Sequence, residues 1–285
     1  MANKNPSMNQ KVIEATQKEH QAMQFFSEHP NILTSYYMEE NGCREDNGVI
    51  EECTYLVLET CVNGTLSHLL ARNGALIEPV VKFYFTQLLS AVAYIHSLGY
   101  AHLDIKPQNI LFDENYNIRL ADFGTIEEDV RQDGLCCWKK GTDSFMAPEI
   151  KNMKKLQKPY NMYKADVYSL GMTLLIMLTM KHPYSKENNK NDDFISTNNS
   201  GDSISSLSNN SESFARMNEL EEELGVMNLI SFMLHPDPSM RPTCEEIFTH
   251  PWMNDSSLDI RNDEVYSQVC SGKDPLFTHN TVTYN

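Results

Sequence analysis

Basic residues are scarce in this chain, with 23 Lys and Arg against 39 Asp and Glu and a formal net charge of −16. Nucleic acid and acidic membrane surfaces are repelled by such a charge and are excluded as default partners. The surplus acid serves solubility first and basic partners second. Glycine is also sparse. No two of the 12 glycines fall within five residues of each other, so a Gly-x-Gly-x-x-Gly loop is absent. The seven cysteines are an odd number without regular spacing, and Cys136 and Cys137 are too close in sequence for an ordinary bridge. That usage points to reduced thiols and an intracellular protein, cytoplasmic or nuclear. No partner ligands sit at metal-binding spacing around the Cys136-Cys137 pair. The first ten residues are polar, which excludes a visible signal peptide, and the most apolar helical stretch, residues 170–180, is too short to span a bilayer of ~30 Å. Hydroxyl side chains are missing from residues 126–140, which contain no Ser, Thr or Tyr.

What is present fits a globular chain of one large domain or two small lobes: 285 residues, 41% of them hydrophobic. Apolar residues at steps of three and four predict an amphipathic helix over residues 11–27, through Val12, Ala15, Met23 and Phe26, ended by His29-Pro30. Residues 33–38 and 54–59 read as strands separated by a polar loop at 39–53. A long helix is expected over 78–97, with Val81, Phe85, Leu88, Val92 and Ile95 forming a core stripe, and a more uniformly apolar, buried helix over 164–181. Composition then shifts. Residues 186–214 are mostly Asn, Ser, Asp and Lys, too poor in apolar groups to offset ordering entropy, and read as a disordered insertion that either carries docking or phosphorylation sites or is a solvated linker. Helical periodicity returns over 220–234, a last helix is expected at 241–253, and 254–285 reads as a polar tail.

The chemistry gathers in His102-Leu103-Asp104-Ile105-Lys106-Pro107-Gln108-Asn109, followed by Asp122-Phe123-Gly124. Between them Ile110-Leu111-Phe112 and Ile118-Arg119-Leu120 read as a hairpin turned by Asp113-Glu114-Asn115, which brings two carboxylates and an amide to one rim. A base for an attacking hydroxyl, oxygen ligands for Mg²⁺ and a cation for migrating charge are what phosphoryl transfer requires.

These residues resemble the catalytic core of the eukaryotic protein kinases, and further motifs agree in order: Gly141-Thr142, Ala147-Pro148-Glu149, Asp166 to Gly171, Arg241-Pro242-Thr243 and His250-Pro251-Trp252. The resemblance runs from about Glu19 to Trp252. It implies an α+β, two-lobe fold over residues 1–252, with a partial small lobe at 1–60, a mainly helical large lobe at 61–252 and a tail at 253–285. It implies a serine/threonine kinase that uses ATP and Mg²⁺ and acts on protein substrates, since Lys106-Pro107 and Gly141-Thr142 follow the Ser/Thr pattern. Asp104 would be the catalytic base and Lys106 the stabiliser of γ-phosphoryl charge. Asn109 and Asp122 would hold the metal. Leu58 would lie beside the nucleotide, Glu59 and Cys61 would read adenine through their backbones, and Leu111 would lie beneath the ring. Glu19 would hold an ATP-positioning lysine, for which Lys4 is the candidate; the alternatives are a solvated helix face for Glu19 and a frayed terminus for Lys4. His102 and Phe123 would pack, Asp166 would hold the catalytic-loop backbone, and Glu149 and Arg241 would form a buried ion pair.

Two departures stand against the pattern. The family usually has Arg before the catalytic Asp, to meet a phosphorylated activation-segment residue, and here that position is Leu103. Together with the missing hydroxyls at 126–140, this predicts a segment ordered without phosphate, through apolar contacts of Leu135 or Trp138. The second departure is the absent glycine-rich loop. It leaves open an active kinase with a short small lobe, a pseudokinase or scaffold, and an incomplete stretch of a longer kinase.

Overall fold

The computed structural model describes residues 6–46, 48–152, 158–181 and 225–270. Lys4, the 186–214 insertion, residues 220–224 and the last part of the tail lie outside the described residues.

Helix α1 (Pro6–Phe25) begins on a proline, tolerated where a helix N–H has no partner anyway, and so starts earlier than the periodicity suggests. Its stripe is buried only toward its end: Met23 is 1% exposed, with Phe26 beyond it at 0%, whereas Val12 is 52% exposed. Strands β1 (Ser35–Asp46) and β2 (Val49–Leu58) form a long antiparallel hairpin in register from Ser35↔Leu58 to Asp46↔Val49. The loop expected at 39–53 is thus mostly strand. Its outer half is largely exposed on both faces, so no apolar alternation marks it; the main-chain ladder holds it, with an Arg44–Glu51 ion pair at 3.5 Å and a Thr54 hydroxyl bond to the Glu40 carbonyl at 3.1 Å. Gly42 leaves room there for the ring of Tyr55, which a Cβ would displace, being 2.1 Å from it.

Helix α2 (Leu66–Asn73) is capped by Thr65, and α3 (Glu78–Ser97) has the bounds its stripe predicts, with all five stripe residues at most 1% exposed. Short strands follow: β3 (Tyr100–Ala101), β4 (Ile110–Phe112), β5 (Ile118–Leu120), β6 (Glu127–Glu128) and β7 (Leu135–Cys136). After α4 (Pro148–Lys151) and β8 (Tyr160–Asn161), helix α5 (Met162–Thr179) crosses the core, and α6 (Gly225–Met233), α7 (Cys244–Phe248) and α8 (Asn262–Cys270) complete the described elements. Pairings are β3 with β6, β4 with β5 and β7 with β8.

The helix expected at 241–253 is broken. Thr243 and Glu246 form a capping box that starts α7, and Pro251 opens a separate 3₁₀ turn, Pro251–Asn254. Part of the expected tail is also structured: α8 buries Val265 and Val269 in the common core. Lys82 of α3, 5% exposed, donates to the Asp255 carbonyl (2.6 Å) and to Asp259 (2.7 Å), which clamps the segment before α8.

Candidate active site

The hairpin β4–β5 fixes the site. Its turn is closed by Asp113, whose Oδ1 accepts from the N–H groups of Asn115 and Asn117, each at 2.9 Å. Asn109, just before β4, and Ala121-Asp122, just after β5, lie side by side at the open end of the hairpin, where Ala121 N–H donates to the Asn109 carbonyl at 2.9 Å.

Upstream, α5 holds the loop from below. Asp166, fully buried, accepts from the backbone N–H of His102 (2.8 Å) and of Leu103 (2.7 Å). Those bonds hold Leu103 in the left-handed region at φ 65°, which turns the chain so that Asp104 faces the rim. His102 is buried and burial lowers its pKa, so the ring is neutral. Nδ1 accepts from Asp104 N–H (3.2 Å) and Nε2 donates to the Ala121 carbonyl (3.1 Å), a packing and positioning arrangement. Phe123, 0% exposed, stacks edge-on against His102 with centroids 5.0 Å apart, and meets Phe26 at 5.7 Å.

The Asp104 carboxylate accepts from Lys106, Asn109 and the Thr142 N–H. Burial pushes its pKa up, but Lys106 Nζ at 2.6 Å and the Thr142 N–H at 2.8 Å outweigh this and leave it below the usual carboxylate value. Lys106 also donates to the Thr142 hydroxyl at 2.7 Å. This approach needs Gly141: its φ is +95°, and a Cβ there would lie 2.2 Å from the Leu103 carbonyl. Asn109 Nδ2 donates to the Asp104 carbonyl (3.0 Å), to Asp104 Oδ2 (3.2 Å) and to Asp122 Oδ2 (3.2 Å). Asp122 is held at φ 65°. Asp104, Lys106, Asn109 and Asp122 thus form one cluster.

Glu19 of α1 approaches the same cluster from above. Burial and the Asp122 charge raise its pKa, and the Phe123 backbone N–H opposes them. Among the described residues no lysine or arginine forms an ion pair with it, and Lys4 lies outside them. Asp122 lies between Asn109 and Glu19 and adds negative charge to the rim, while Lys106 is committed to Asp104 and Thr142. With its amide hydrogens committed to Asp104 and Asp122, Asn109 offers Oδ1, and Asp122 offers carboxylate oxygens; such hard oxygen donors fit Mg²⁺.

Leu58 ends β2 and is 38% exposed, and Leu111 in β4 is half-buried. Glu59 N–H donates to the Thr34 carbonyl (2.9 Å), while its carboxylate accepts from Thr34 N–H (3.2 Å) and Arg119 Nε (2.9 Å). Arg119, not anticipated from the sequence, also pairs with Asp113 at 3.0 Å and donates to the Pro30 carbonyl, tying the linker after β2 to the hairpin. Its only signal is a charge between two core residues of a strand. Cys61 is pushed up to about 11 by burial and the Glu59 charge, so its thiol stays neutral.

Leu135 and Trp138, expected to order the segment from Gly124 to Glu149 through apolar contacts, are 38% and 66% exposed; buried Ile126, Cys136, Phe145 and Met146, the β7–β8 pairing and charged contacts hold it instead. Lys140 Nζ pairs with Glu127 and donates to the carbonyls of Thr125 and Ile126, both at 3.3 Å. Lys18 of α1 reaches the same Ile126 carbonyl at 3.1 Å. Further on, Arg241 forms a bidentate pair with Glu149 (2.7 and 2.8 Å) and lies 5.0 Å from the Tyr168 ring centroid.

With this geometry, comparison with known proteins is direct. The family model described as protein kinase domain matches residues 1–253, and the chain belongs to that family, with its two-lobe α+β fold. It is 31% identical over 231 residues to the serine/threonine-protein kinase CHK1 of Saccharomyces cerevisiae, covering 80% of this chain and 40% of that one. It is 35% identical to CBL-interacting protein kinase 11 of Oryza sativa subsp. japonica (66% and 35% covered). It is 29% identical to CBL-interacting serine/threonine-protein kinase 3 of Arabidopsis thaliana (79% and 45% covered). The matched stretch spans less than half the length of these relatives. No helix among the described residues is long and apolar enough to cross a membrane.

Proposed function

We propose that this chain is a serine/threonine protein kinase domain, with residues 1–60 in its small lobe and 61–252 in its large lobe, that transfers the γ-phosphoryl group of ATP to protein hydroxyls. The observation that carries the reading is the cluster in which Asn109 bridges Asp104 and Asp122 while Lys106 bridges Asp104 and Thr142. Mg-ATP supplies the phosphoryl group and the charge neutralisation its departure needs. Asn109 Oδ1 and Asp122 hold the metal. Asp104, kept anionic by Lys106 and Thr142, accepts the proton of the substrate hydroxyl. Lys106 turns from Asp104 toward the transferred group and stabilises its charge. Adenine is read by the backbones of Glu59 and Cys61, between Leu58 and Leu111. Thr142 makes the substrate site specific to Ser and Thr by its contact with Lys106.

The segment around Lys140 needs no phosphate. Leu103 removes the usual cationic receptor, and Lys140 with Glu127 supplies an internal charge pair in its place. Phosphatase treatment is expected to leave activity unchanged; loss of activity through a phosphate within residues 122–149 would refute this.

A second reading, a pseudokinase or scaffold, is favoured by Glu19 lying beside Asp122 without an ion-pair partner among the described residues. Thermal unfolding with Mg-ATP separates the two. A site at 100 times its dissociation constant adds about 2.7 kcal/mol of stability, and the Asp122→Asn variant is expected to lose that gain. A folded protein that shows no shift is a scaffold, or a stretch that needs further chain to bind nucleotide.

A further inference from the structure

In the large lobe, α3, α5 and the start of α7 line a cleft of about 240 Å³. His96, Tyr163, Lys164, Thr243, Cys244 and Glu245 line it, and exposed Glu245 marks its mouth. Cys244 forms its floor at 1% exposure.

The side chains there form an ordered relay. Cys244 Sγ lies 3.5 Å from His96 Nδ1, and His96 Nε2 lies 2.9 Å from Asp166 Oδ2. A thiol, an imidazole and a carboxylate in hydrogen-bond sequence are the arrangement that activates a sulfur nucleophile. The ring is fixed by Tyr163, edge-on with centroids 5.0 Å apart. Burial opposes a charge on His96, but the Cys244 sulfur and the Asp166 carboxylate outweigh it and raise the imidazole to about 10. The relay leads somewhere specific: the Asp166 carboxylate that holds His96 also accepts the N–H groups of His102 and Leu103.

We propose that Cys244 is a redox modification site, oxidised by hydrogen peroxide or a small alkyl hydroperoxide entering this cleft, and that its oxidation loosens the loop carrying Asp104. The sulfur electron pair attacks one peroxide oxygen, forming the S–O bond and breaking the O–O bond. The departing hydroxide or alkoxide takes the proton held by His96. Sulfur is oxidised to the sulfenic acid, and the peroxide is reduced to water or an alcohol. A small uncharged oxidant suits a sulfur 1% exposed at the floor of a small cleft, which excludes bulky disulfides. The added oxygen occupies the space between Sγ and His96, and turning the ring takes a hydrogen bond from Asp166.

An internal control exists in Cys136. It is buried to 2%, but its sulfur meets the backbone of Trp138, at 3.4 and 3.6 Å, and the Tyr160 hydroxyl in place of an imidazole. The test is peroxide treatment of the intact chain, capture of sulfenic acid with a dimedone-type reagent, and peptide mass spectrometry. Cys244 is expected to react at least about tenfold faster than Cys136 in the native protein, the advantage a neighbouring imidazolium gives a thiol. His96→Gln is expected to remove that advantage. Equal rates at the two cysteines in the unmutated protein overturn the proposal, and this comparison needs no variant to fold. Hydrogen exchange at His102 and Leu103 is expected to accelerate on oxidation, and to be insensitive to peroxide in Cys244→Ala. Unchanged exchange with Cys244 oxidised overturns the link to the loop. Neither readout requires catalysis, so this proposal and the kinase reading fail separately.

Discussion

Asn109 donates its side-chain amide to Asp122 across 3.2 Å, and the same nitrogen reaches Asp104. One neutral residue therefore sets the spacing of two carboxylates that would otherwise repel. Replacing it by Ala is expected to cost about 1–3 kcal/mol, the penalty for stranding the buried Asp104 carbonyl and carboxylate; Asp122 is exposed. It is also expected to abolish the Mg-ATP-dependent rise in unfolding temperature. Thermal unfolding with and without the nucleotide measures both; a variant that keeps the full rise would remove Asn109 from the metal site.

Lys140 links the two halves of the segment between Asp122 and Glu149 through Glu127, Thr125 and Ile126. Lys140→Met is expected to expose residues 126–140 to protease about tenfold faster, since charged hydrogen bonds of this kind contribute about 1.5–3 kcal/mol. Lys140→Arg, which retains charge and donors, is expected to restore most of the protection. Equal cleavage of all three forms would show that the β7–β8 pairing alone orders the segment.

Glu19 gives a pH-dependent effect. Its folded pKa is raised above the ordinary 4.5 by burial and by Asp122. The folded state then holds the proton more tightly than the unfolded state. Its contribution to stability is fully present below the unfolded pKa and is lost as pH climbs through the folded value. Glu19→Gln keeps the acceptor for Phe123 N–H and removes the charge. At pH 7 it is expected to stabilise the nucleotide-free protein by less than about 1 kcal/mol, after screening of a partly exposed group. The gain is expected to fade as pH falls through the raised folded pKa and to be gone below 4.5. Denaturant unfolding across this range checks the sign; a gain that grows on acidification would contradict it.

The sequence shows the site more plainly than the fold around it. Asp104, Lys106, Asn109 and Asp122 are legible because the hairpin between them is short, and alternating core residues fix its register. Helix α3 is legible because five residues of one stripe are all buried. The outer half of β1–β2 is not, because polar residues exposed on both faces leave no periodic trace. Arg119 and Lys140 escape for a related reason. Each acts on backbone carbonyls and on carboxylates distant in sequence, so nothing near them in the chain marks the contact. The structure of α8 was hidden because its few apolar residues are spaced as sparsely as in a tail.

Arg241 is the most fully satisfied buried charge in the large lobe. Nη1 donates to Glu149 (2.7 Å) and the Lys164 carbonyl (2.9 Å), Nη2 to Glu149 (2.8 Å) and the Pro236 carbonyl (3.3 Å), and Nε to the His235 carbonyl (2.7 Å). Its side chain is 0% exposed. Lys carries neither the planar fork nor enough donors for this set, so Arg241→Lys is expected to behave as a loss and not as a conservative change. Arg241→Met strands Glu149 and three carbonyls, and is expected to cost about 3–5 kcal/mol in urea unfolding. Removing both charges, as in Arg241→Met with Glu149→Leu, is expected to recover part of that loss, because no uncompensated carboxylate remains. If the double variant is as unstable as the sum of the single ones, the pair is not coupled. The carbonyl contacts of Arg241, and not Glu149, would then carry its stabilisation, by tying α5 to the turn before α7.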